Sequence, residues 1–167
     1  DMVGAFLPSA TVMNKALGHP HFHPIFRAAE ELGVPLGIHG APSRGFGFDY
    51  FEDQGQVHAL EHPFPLMIQF TSIVCDGVLE KFPKLKIAFL EAGCGWLPYM
   101  MDRLDYEYET RGGRSFPNMK KKPSDYVKDC SVYVTCEPEE TSLAFVTQVI
   151  GGERIMFPSD YPHERVY

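Results

Sequence analysis

Short apolar runs alternate five times with amphipathic segments along the 167-residue chain, and this alternation restricts the fold more than any other feature. Each run has the length of a β-strand, and most of the following segments repeat apolar residues at helical spacing. Parallel strands joined by right-handed helical crossovers accommodate such a pattern. The sequence therefore predicts one α/β domain over residues 1–167. The predicted strands are residues 3–7, 35–39, 86–90, 132–136 and 155–157.

Proline, glycine and serine set the limits of the predicted helices. Pro24 suits the first turn of a helix, and Gly33 suits the position after its last turn. Ser124 is predicted to cap a short helix next to Pro123. A Gly-, Phe- and Asp-rich stretch of roughly residues 40–60 predicts a long substrate loop. The other helices are predicted over residues 24–32, 64–82, 96–108 and 141–150.

Composition narrows the range of partners and locations. The chain has 15 Lys and Arg against 22 Asp and Glu, and the formal net charge of −7 disfavours nucleic acid as a partner. No run of about 18 apolar residues occurs, so no membrane-spanning helix is predicted. The first residues lack the pattern of a secretory signal, and four cysteines are scattered without CxxC spacing. These features predict a cytoplasmic protein with reduced thiols.

Candidate chemical groups follow the predicted strands. In parallel α/β sheets, function collects beyond the carboxyl ends of the strands. His39 ends the second strand, Glu91 follows the third, and Asp160 and His163 follow the fifth. Two carboxylates and a histidine at one edge are donors of a hard or borderline divalent metal site. A structural role is the alternative for each of these residues. Asp160 could only form a turn, Glu91 could accept hydrogen bonds from backbone amides, and His163 could pack at the edge of the sheet.

Two segments resemble the amidohydrolase-related superfamily. Residues 77–105, GVLEKFPKLKIAFLEAGCGWLPYMMDRLD, and 149–163, VIGGERIMFPSDYPH, are similar to the branch with aminocarboxymuconate semialdehyde decarboxylase and γ-resorcylate decarboxylase. The resemblance covers essentially the whole chain. It implies a (β/α)8 TIM barrel, a small-molecule substrate and one divalent metal ion, with zinc expected and manganese as the alternative. Family members often form homodimers, although nothing in this sequence fixes the oligomeric state.

The resemblance also implies roles for individual residues. His39, after the fifth barrel strand, is implied to be a metal ligand. Asp160, after the eighth, is implied to be a ligand that also positions or deprotonates metal-activated water. The decarboxylase branch has an acid/base histidine where this chain has Glu91. A carboxylate can relay protons, add a ligand or bind a substrate amine, so Glu91 favours hydrolysis over decarboxylation.

Aromatic residues supply the candidate substrate pocket. Trp96, Phe46 and Phe48 are predicted to contact an apolar or aromatic substrate, and packing in the core or a lid is an equally good interpretation of each. His163 is the fourth candidate for substrate contact. His62 precedes a proline and is assigned to the start of a helix rather than to a metal. Cys94 has no identifiable base beside it, so a thiol nucleophile is not predicted.

Three histidines in GHPHFHPIF, residues 18–26, imitate a metal-binding HxH pair. They are His19, His21 and His23, and the neighbouring Pro20 and Pro24 disfavour a central strand. We therefore predict loop and helix-entry roles for them. The family's HxH or ExH pair lies on barrel strand one. Aligned by strand order, this chain carries barrel strands four to eight. We therefore expect the HxH or ExH pair in a longer polypeptide. We also expect residues 1–167 alone to aggregate or to lose the metal.

Three hypotheses follow from these observations. The first is a metal-dependent hydrolase that acts on a small, aromatic or other organic substrate through metal-activated water. The second is a nonoxidative, metal-dependent decarboxylase of an aromatic or muconate-like acid. The third is a catalytically inactive barrel remnant that serves as a binding module.

Overall fold

A five-stranded parallel sheet organises the computed structural model, which describes residues 2–11, 13–41, 45–159, 161 and 163. Strands that follow one another in the chain are neighbours in the sheet, and every pairing is parallel. The α/β class and the five predicted strands are confirmed, with ends that move by no more than two residues. The strands are β1 (Ala5–Pro8), β2 (Leu36–His39), β3 (Lys86–Leu90), β4 (Ser131–Thr135) and β5 (Ile155–Met156).

Helices fill the connections between the strands. Gly33 ends the first helix with a left-handed φ of 68°, as predicted. In the described part of the chain, no helix is long and apolar enough to cross a membrane. The α-helices are α1 (His23–Leu32), α2 (Gln54–Glu61), α3 (Pro63–Cys75), α4 (Val78–Lys81), α5 (Trp96–Arg111), α6 (Pro123–Asp129) and α7 (Leu143–Ile150). Short 3-10 helices span Pro20–Phe22, Phe48–Tyr50 and Gly152–Arg154.

Two predicted connections are wrong. The single helix over residues 64–82 is interrupted, because Gly77 has a left-handed φ of 78°. A side chain at this position would also overlap Asn118, whose carbonyl oxygen would lie 2.6 Å from a Cβ atom. The long loop predicted over roughly residues 40–60 is interrupted by helix α2, which begins where the Asp53 carboxylate accepts a hydrogen bond from the Gly55 amide at 2.7 Å. Contact between this loop and substrate stays a prediction.

Ser124 does not cap its helix, contrary to the prediction. Helix α6 begins at Pro123, and Lys122 is the cap residue. The Ser124 amide and hydroxyl instead donate to the carboxylate of Asp105 on α5, at 2.9 and 2.7 Å. The serine therefore joins two helices.

The helices cover one face of the sheet. Ile38, Phe89 and Val134 lie side by side on adjacent strands and are buried beneath α1, α3, α5, α6 and α7. Side chains alternate between faces along a strand. The row formed by Phe6, Gly37, Ala88 and Tyr133 therefore lies on the opposite face, where Phe6 is exposed and the other three are half-buried. A closed barrel places this second face in its interior, and His39 lies on it.

Glu140 closes the amino terminus of α5. Its carboxylate accepts hydrogen bonds from the amides of Cys94, at 2.9 Å, and Gly95, at 2.5 Å, and from the Ser142 hydroxyl at 2.9 Å. Burial alone would raise the pKa of Glu140, but these hydrogen bonds outweigh burial and hold the pKa below its ordinary 4.5. The charge therefore stabilises the fold above pH 4.5 and stops doing so as the pH falls through the lowered pKa.

Replacing Glu140 with glutamine should destabilise the protein by about 2 kcal/mol near neutral pH, because an amide cannot accept all of these hydrogen bonds. Urea unfolding across a pH series measures the effect. The difference from wild type should shrink as the medium becomes acidic. Glu31→Gln, an exposed carboxylate on α1, is the control and should leave stability nearly unchanged. A Glu140→Gln difference that does not vary with pH would contradict this account.

Candidate active site

His39, the last residue of β2, presents one ring nitrogen to a carboxylate. Its Nδ1 lies 2.6 Å from the carbonyl oxygen of Gly40, which can only accept, so Nδ1 carries the hydrogen. Nε2 contacts Oε2 of Glu91. Nε2 is therefore the ring nitrogen available to another partner. An imidazole nitrogen and a carboxylate oxygen are both ligands that a borderline divalent metal accepts, so the donors present fit such an ion.

Glu91 follows β3 in an unusual backbone conformation. Its φ is 65°, in the left-handed region that residues other than glycine rarely adopt, at a free-energy cost of about 1–2 kcal/mol. The Glu91 amide donates to the Thr135 hydroxyl at the end of β4, at 2.8 Å. The side chain is 29% exposed. Strained residues cluster at functional sites, and here the strained residue carries the carboxylate that contacts His39.

His62 contacts the same carboxylate. Its Nε2 lies 3.6 Å from Oε2 of Glu91, within ion-pair distance, and its ring centroid is 6.0 Å from that of His39. A Cβ atom at Gly40 would lie 2.4 Å from Cδ2 of His62, so only glycine at position 40 leaves room for this ring. His62 does directly precede α3, as predicted, but its contact with Glu91 was missed.

Helix α2 adds a further group of donors beside His62. Within the described residues, one ligand atom each of His58, Glu61 and His62 lies within 4.8 Å of the others. This group was not predicted from the sequence, because His58 falls in the predicted loop and His62 at the start of the next predicted helix. The signal that could have revealed it is the H-x-x-E-H spacing, which places all three residues on one face of a helix.

A pocket opens beside His39 at the ends of β1 and β2. Its volume is about 400 Å³, which suits a small organic molecule. The Phe6 ring lies 5.8 Å from the His39 ring, measured between centroids. The pocket is lined by Phe6, Leu7, Pro8, His39, Gly40 and Ala41.

The remaining candidate residues differ in their placement. Trp96 is only 7% exposed, and its indole N–H donates to the Gly93 carbonyl oxygen at 3.0 Å, which favours the packing interpretation over a substrate contact. Phe46 is 40% exposed, and its ring lies 5.7 Å from that of the buried Phe48. His163 is exposed.

Asp160 lies outside the described residues. Its predicted roles as a metal ligand and as the group that positions water therefore stay predictions.

A family model described as amidohydrolase matches residues 3–166. This chain belongs to the amidohydrolase family. Solved TIM-barrel amidohydrolases match its architecture over about half of their own length, which confirms the predicted fold type. The assignment of β1 to β5 as barrel strands four to eight stays a prediction.

The amidohydrolase chain is similar to several decarboxylases. A 2-amino-3-carboxymuconate-6-semialdehyde decarboxylase from Dictyostelium discoideum is 26% identical over 153 residues, which cover 92% of this chain and 42% of the relative. The structure of 5-carboxyvanillate decarboxylase from Sphingomonas paucimobilis is 28% identical, with a TM-score of 0.74, and the match covers 96% of this chain and 48% of that one. This chain therefore spans less than half the length of these relatives.

A third relative of this amidohydrolase contains a metal. The 5-carboxyvanillate decarboxylase from Novosphingobium aromaticivorans is 30% identical, with a TM-score of 0.72 over 96% of this chain and 47% of that one. Its structure holds manganese and 3-methoxy-4-hydroxy-5-nitrobenzoic acid. The manganese in this relative supports a divalent metal ion in the family. The choice between zinc and manganese for this chain stays open.

The alternating histidines of this amidohydrolase have structural roles, as predicted. His19 is the cap of the first 3-10 helix, and its ring accepts a hydrogen bond from the His21 amide at 3.1 Å. His23 begins α1, and its ring contacts the Gly18 carbonyl oxygen at 3.2 Å and the Lys81 ammonium group at 3.1 Å. Burial and the adjacent Lys81 lower the pKa of His23. The HxH pattern is accounted for by helix entry.

Cys94 lies beside the carboxylate of Glu140, a surrounding that disfavours its thiolate form. Burial, together with the hydrogen bond that its sulfur donates to Glu140, raises the pKa of Cys94 to about 12. A thiol with such a pKa is almost entirely protonated at neutral pH. All four cysteines of the chain are free thiols.

Proposed function

We propose that the natural protein containing this chain is a divalent-metal-dependent hydrolase of a small aromatic or muconate-like acid derivative. The observation that carries the proposal is the contact of Glu91 with His39 at the carboxyl ends of two neighbouring strands. A histidine and a carboxylate at that edge combine a metal ligand with a group that can move protons.

The chain's own donors suit a borderline metal ion. His39 would hold the metal through Nε2, since its Nδ1 hydrogen is engaged by Gly40. Asp160, at the end of the fifth strand in the sequence, is the proposed second ligand. The bound metal would polarise the substrate and activate water. Zinc is the expected ion, and the manganese of the Novosphingobium relative makes that ion the alternative.

Glu91 is the proposed proton carrier of the reaction. Hydrolysis requires a base that takes a proton from the attacking water and an acid that returns it to the leaving group. A single carboxylate can perform both steps. His62 lies 3.6 Å from the same carboxylate oxygen, where it can hold the carboxylate in place.

The pocket beside His39 favours a small substrate with an apolar body. Phe6, Leu7 and Pro8 form its apolar side, and His39 lies at its polar end. The proposed substrate class is also supported by the similar proteins, which are named for carboxylated aromatic and muconate-type compounds. Phe46 and Phe48 are proposed to contact substrate from the loop after β2. His163 is proposed to contact it from the chain after β5.

Decarboxylation is the second candidate, because the similar enzymes are decarboxylases. The residue that argues against it is Glu91. Decarboxylation needs a proton delivered to carbon when carbon dioxide leaves, and the decarboxylase branch has an acid/base histidine where this chain has Glu91.

One experiment discriminates between these activities. The natural protein is stripped of metal with a chelator, reloaded with zinc or manganese, and incubated with aromatic esters, amides, lactones and carboxylated phenols in heavy-oxygen water. The hydrolase should incorporate one solvent oxygen per turnover, into the carboxylic acid product, and release no carbon dioxide. Carbon dioxide release without oxygen incorporation would establish the decarboxylase instead. Failure to bind either metal would support the inactive binding module.

A further inference from the structure

The H-x-x-E-H segment, which covers the end of α2 and the following residue, His62, has donors to which the proposed reaction assigns no metal. We propose that His58, Glu61 and His62 form a second divalent-cation site, in addition to the one assigned to His39 and Asp160. This site goes beyond the proposed function, because it binds a second cation and does not depend on whether the protein catalyses hydrolysis or decarboxylation.

Helical spacing brings the three side chains together. Residues separated by three and four positions are neighbours on a helix surface, and His58, Glu61 and His62 have these separations. Their ligand atoms already lie within 4.8 Å of one another. Two ligand atoms of a tetrahedral zinc ion, each about 2.0–2.2 Å from it, are roughly 3.3–3.6 Å apart, so side-chain rotations that bring the ligand atoms about 1–1.5 Å closer would close the site.

The Glu61 carboxylate is the anionic member of the group. The residue is 9% exposed, and no hydrogen bond or ion pair joins its side chain to another residue that the structure describes. Because no described residue engages this carboxylate, it can turn toward a cation that lies between the two imidazoles.

The donor chemistry defines the class of ion. Two imidazole nitrogens and one carboxylate oxygen are the ligand set of borderline divalent metals such as zinc. His58 is exposed, so solvent can complete the coordination from that side.

The second site is connected to the first through His62. The Nε2 atom of His62 lies 3.6 Å from Glu91, and Glu91 contacts His39. A cation that fixes His62 would also restrict the position of the Glu91 carboxylate. Gly40 permits this arrangement, since a side chain at that position would overlap the His62 ring.

Metal stoichiometry tests the proposal without measuring turnover. The natural protein that contains residues 1–167 is stripped of metal and titrated with zinc, and bound metal is measured by equilibrium dialysis and elemental analysis. Two variants, His58→Gln and Glu61→Gln, should each lose one equivalent or bind it at least about tenfold more weakly. In the cobalt-substituted protein, the same variants should lose part of the visible absorption. His21→Gln, at an exposed histidine, and Glu31→Gln are the matched controls.

The outcomes separate this site from the one proposed for catalysis. His39→Asn should remove a different equivalent and leave the cobalt absorption of the α2 site in place. Wild-type zinc content and cobalt absorption in both His58→Gln and Glu61→Gln would overturn the second site, whatever the activity of the protein. Loss of all metal in His39→Asn would also overturn it, because that result requires one shared centre. Circular dichroism checks that each variant folds. If Glu61→Gln unfolds, the result for His58→Gln, which changes an exposed residue, tests the site instead.

Discussion

Replacing Glu91 with glutamine is expected to lower kcat by roughly a hundred- to ten-thousand-fold, the usual contribution of a general acid/base group. Glutamine keeps the size of the side chain and removes its ability to carry a proton. Because His39 remains, the metal content should stay close to that of the wild type. Steady-state kinetics on the natural protein, together with elemental analysis, measure the two effects separately.

The matched control for this variant is Glu52→Gln, which changes an exposed glutamate in the loop before α2. It should leave kcat within about a factor of two, since surface substitutions away from special features have small effects. Unchanged turnover of Glu91→Gln with an intact metal site would remove Glu91 from the mechanism. A variant that loses its metal would instead identify Glu91 as a ligand.

Replacing Trp96 with alanine is expected to destabilise the protein by about 3–5 kcal/mol, the range found when a large aromatic is removed from a core. Trp96 packs edge-on against Phe70 and Phe89, with ring centroids 5.6 and 5.7 Å away. Phe70 and Phe89 are themselves 5.6 Å apart, so three rings join α3, β3 and the start of α5. Urea or thermal unfolding measures the loss.

Tyr99→Ala is the control for Trp96, because it changes an aromatic on the same helix that is 64% exposed. Its effect should stay within about 0.5 kcal/mol. Trp96→Phe should fall between the two, since it keeps a ring but loses the indole hydrogen bond to Gly93. Full stability in Trp96→Ala with a raised KM would restore Trp96 to the substrate pocket and contradict the packing interpretation.

The alternation of apolar runs was sufficient to predict the sheet. Strand β3 lies where the sequence placed it, because a run of apolar residues ends at Leu90 before Glu91. The rule that chemistry follows parallel strands also identified His39 and Glu91 as candidates. Their contact agrees with that rule, while their roles stay predictions.

The errors come from interactions between residues that are distant in the sequence. Helical spacing continues through Gly77, but contact with Asn118 and the left-handed backbone interrupt the helix there. Ser124 has the chemistry of a cap, yet Asp105 on another helix takes its hydrogen bonds. The position of His62 beside Glu91 could not be predicted from local pattern, because it depends on tertiary packing.

The left-handed backbone at Glu91 also bears on how this sequence could be changed. Glycine adopts a φ of 65° without steric cost, so a search for greater heat resistance would favour it at position 91. The same substitution would erase the carboxylate that faces His39. If Glu91 carries the proposed proton transfers, stabilising this domain by substituting residues according to backbone preference would select against the proposed activity. Engineered variants should keep position 91 fixed and seek stability elsewhere.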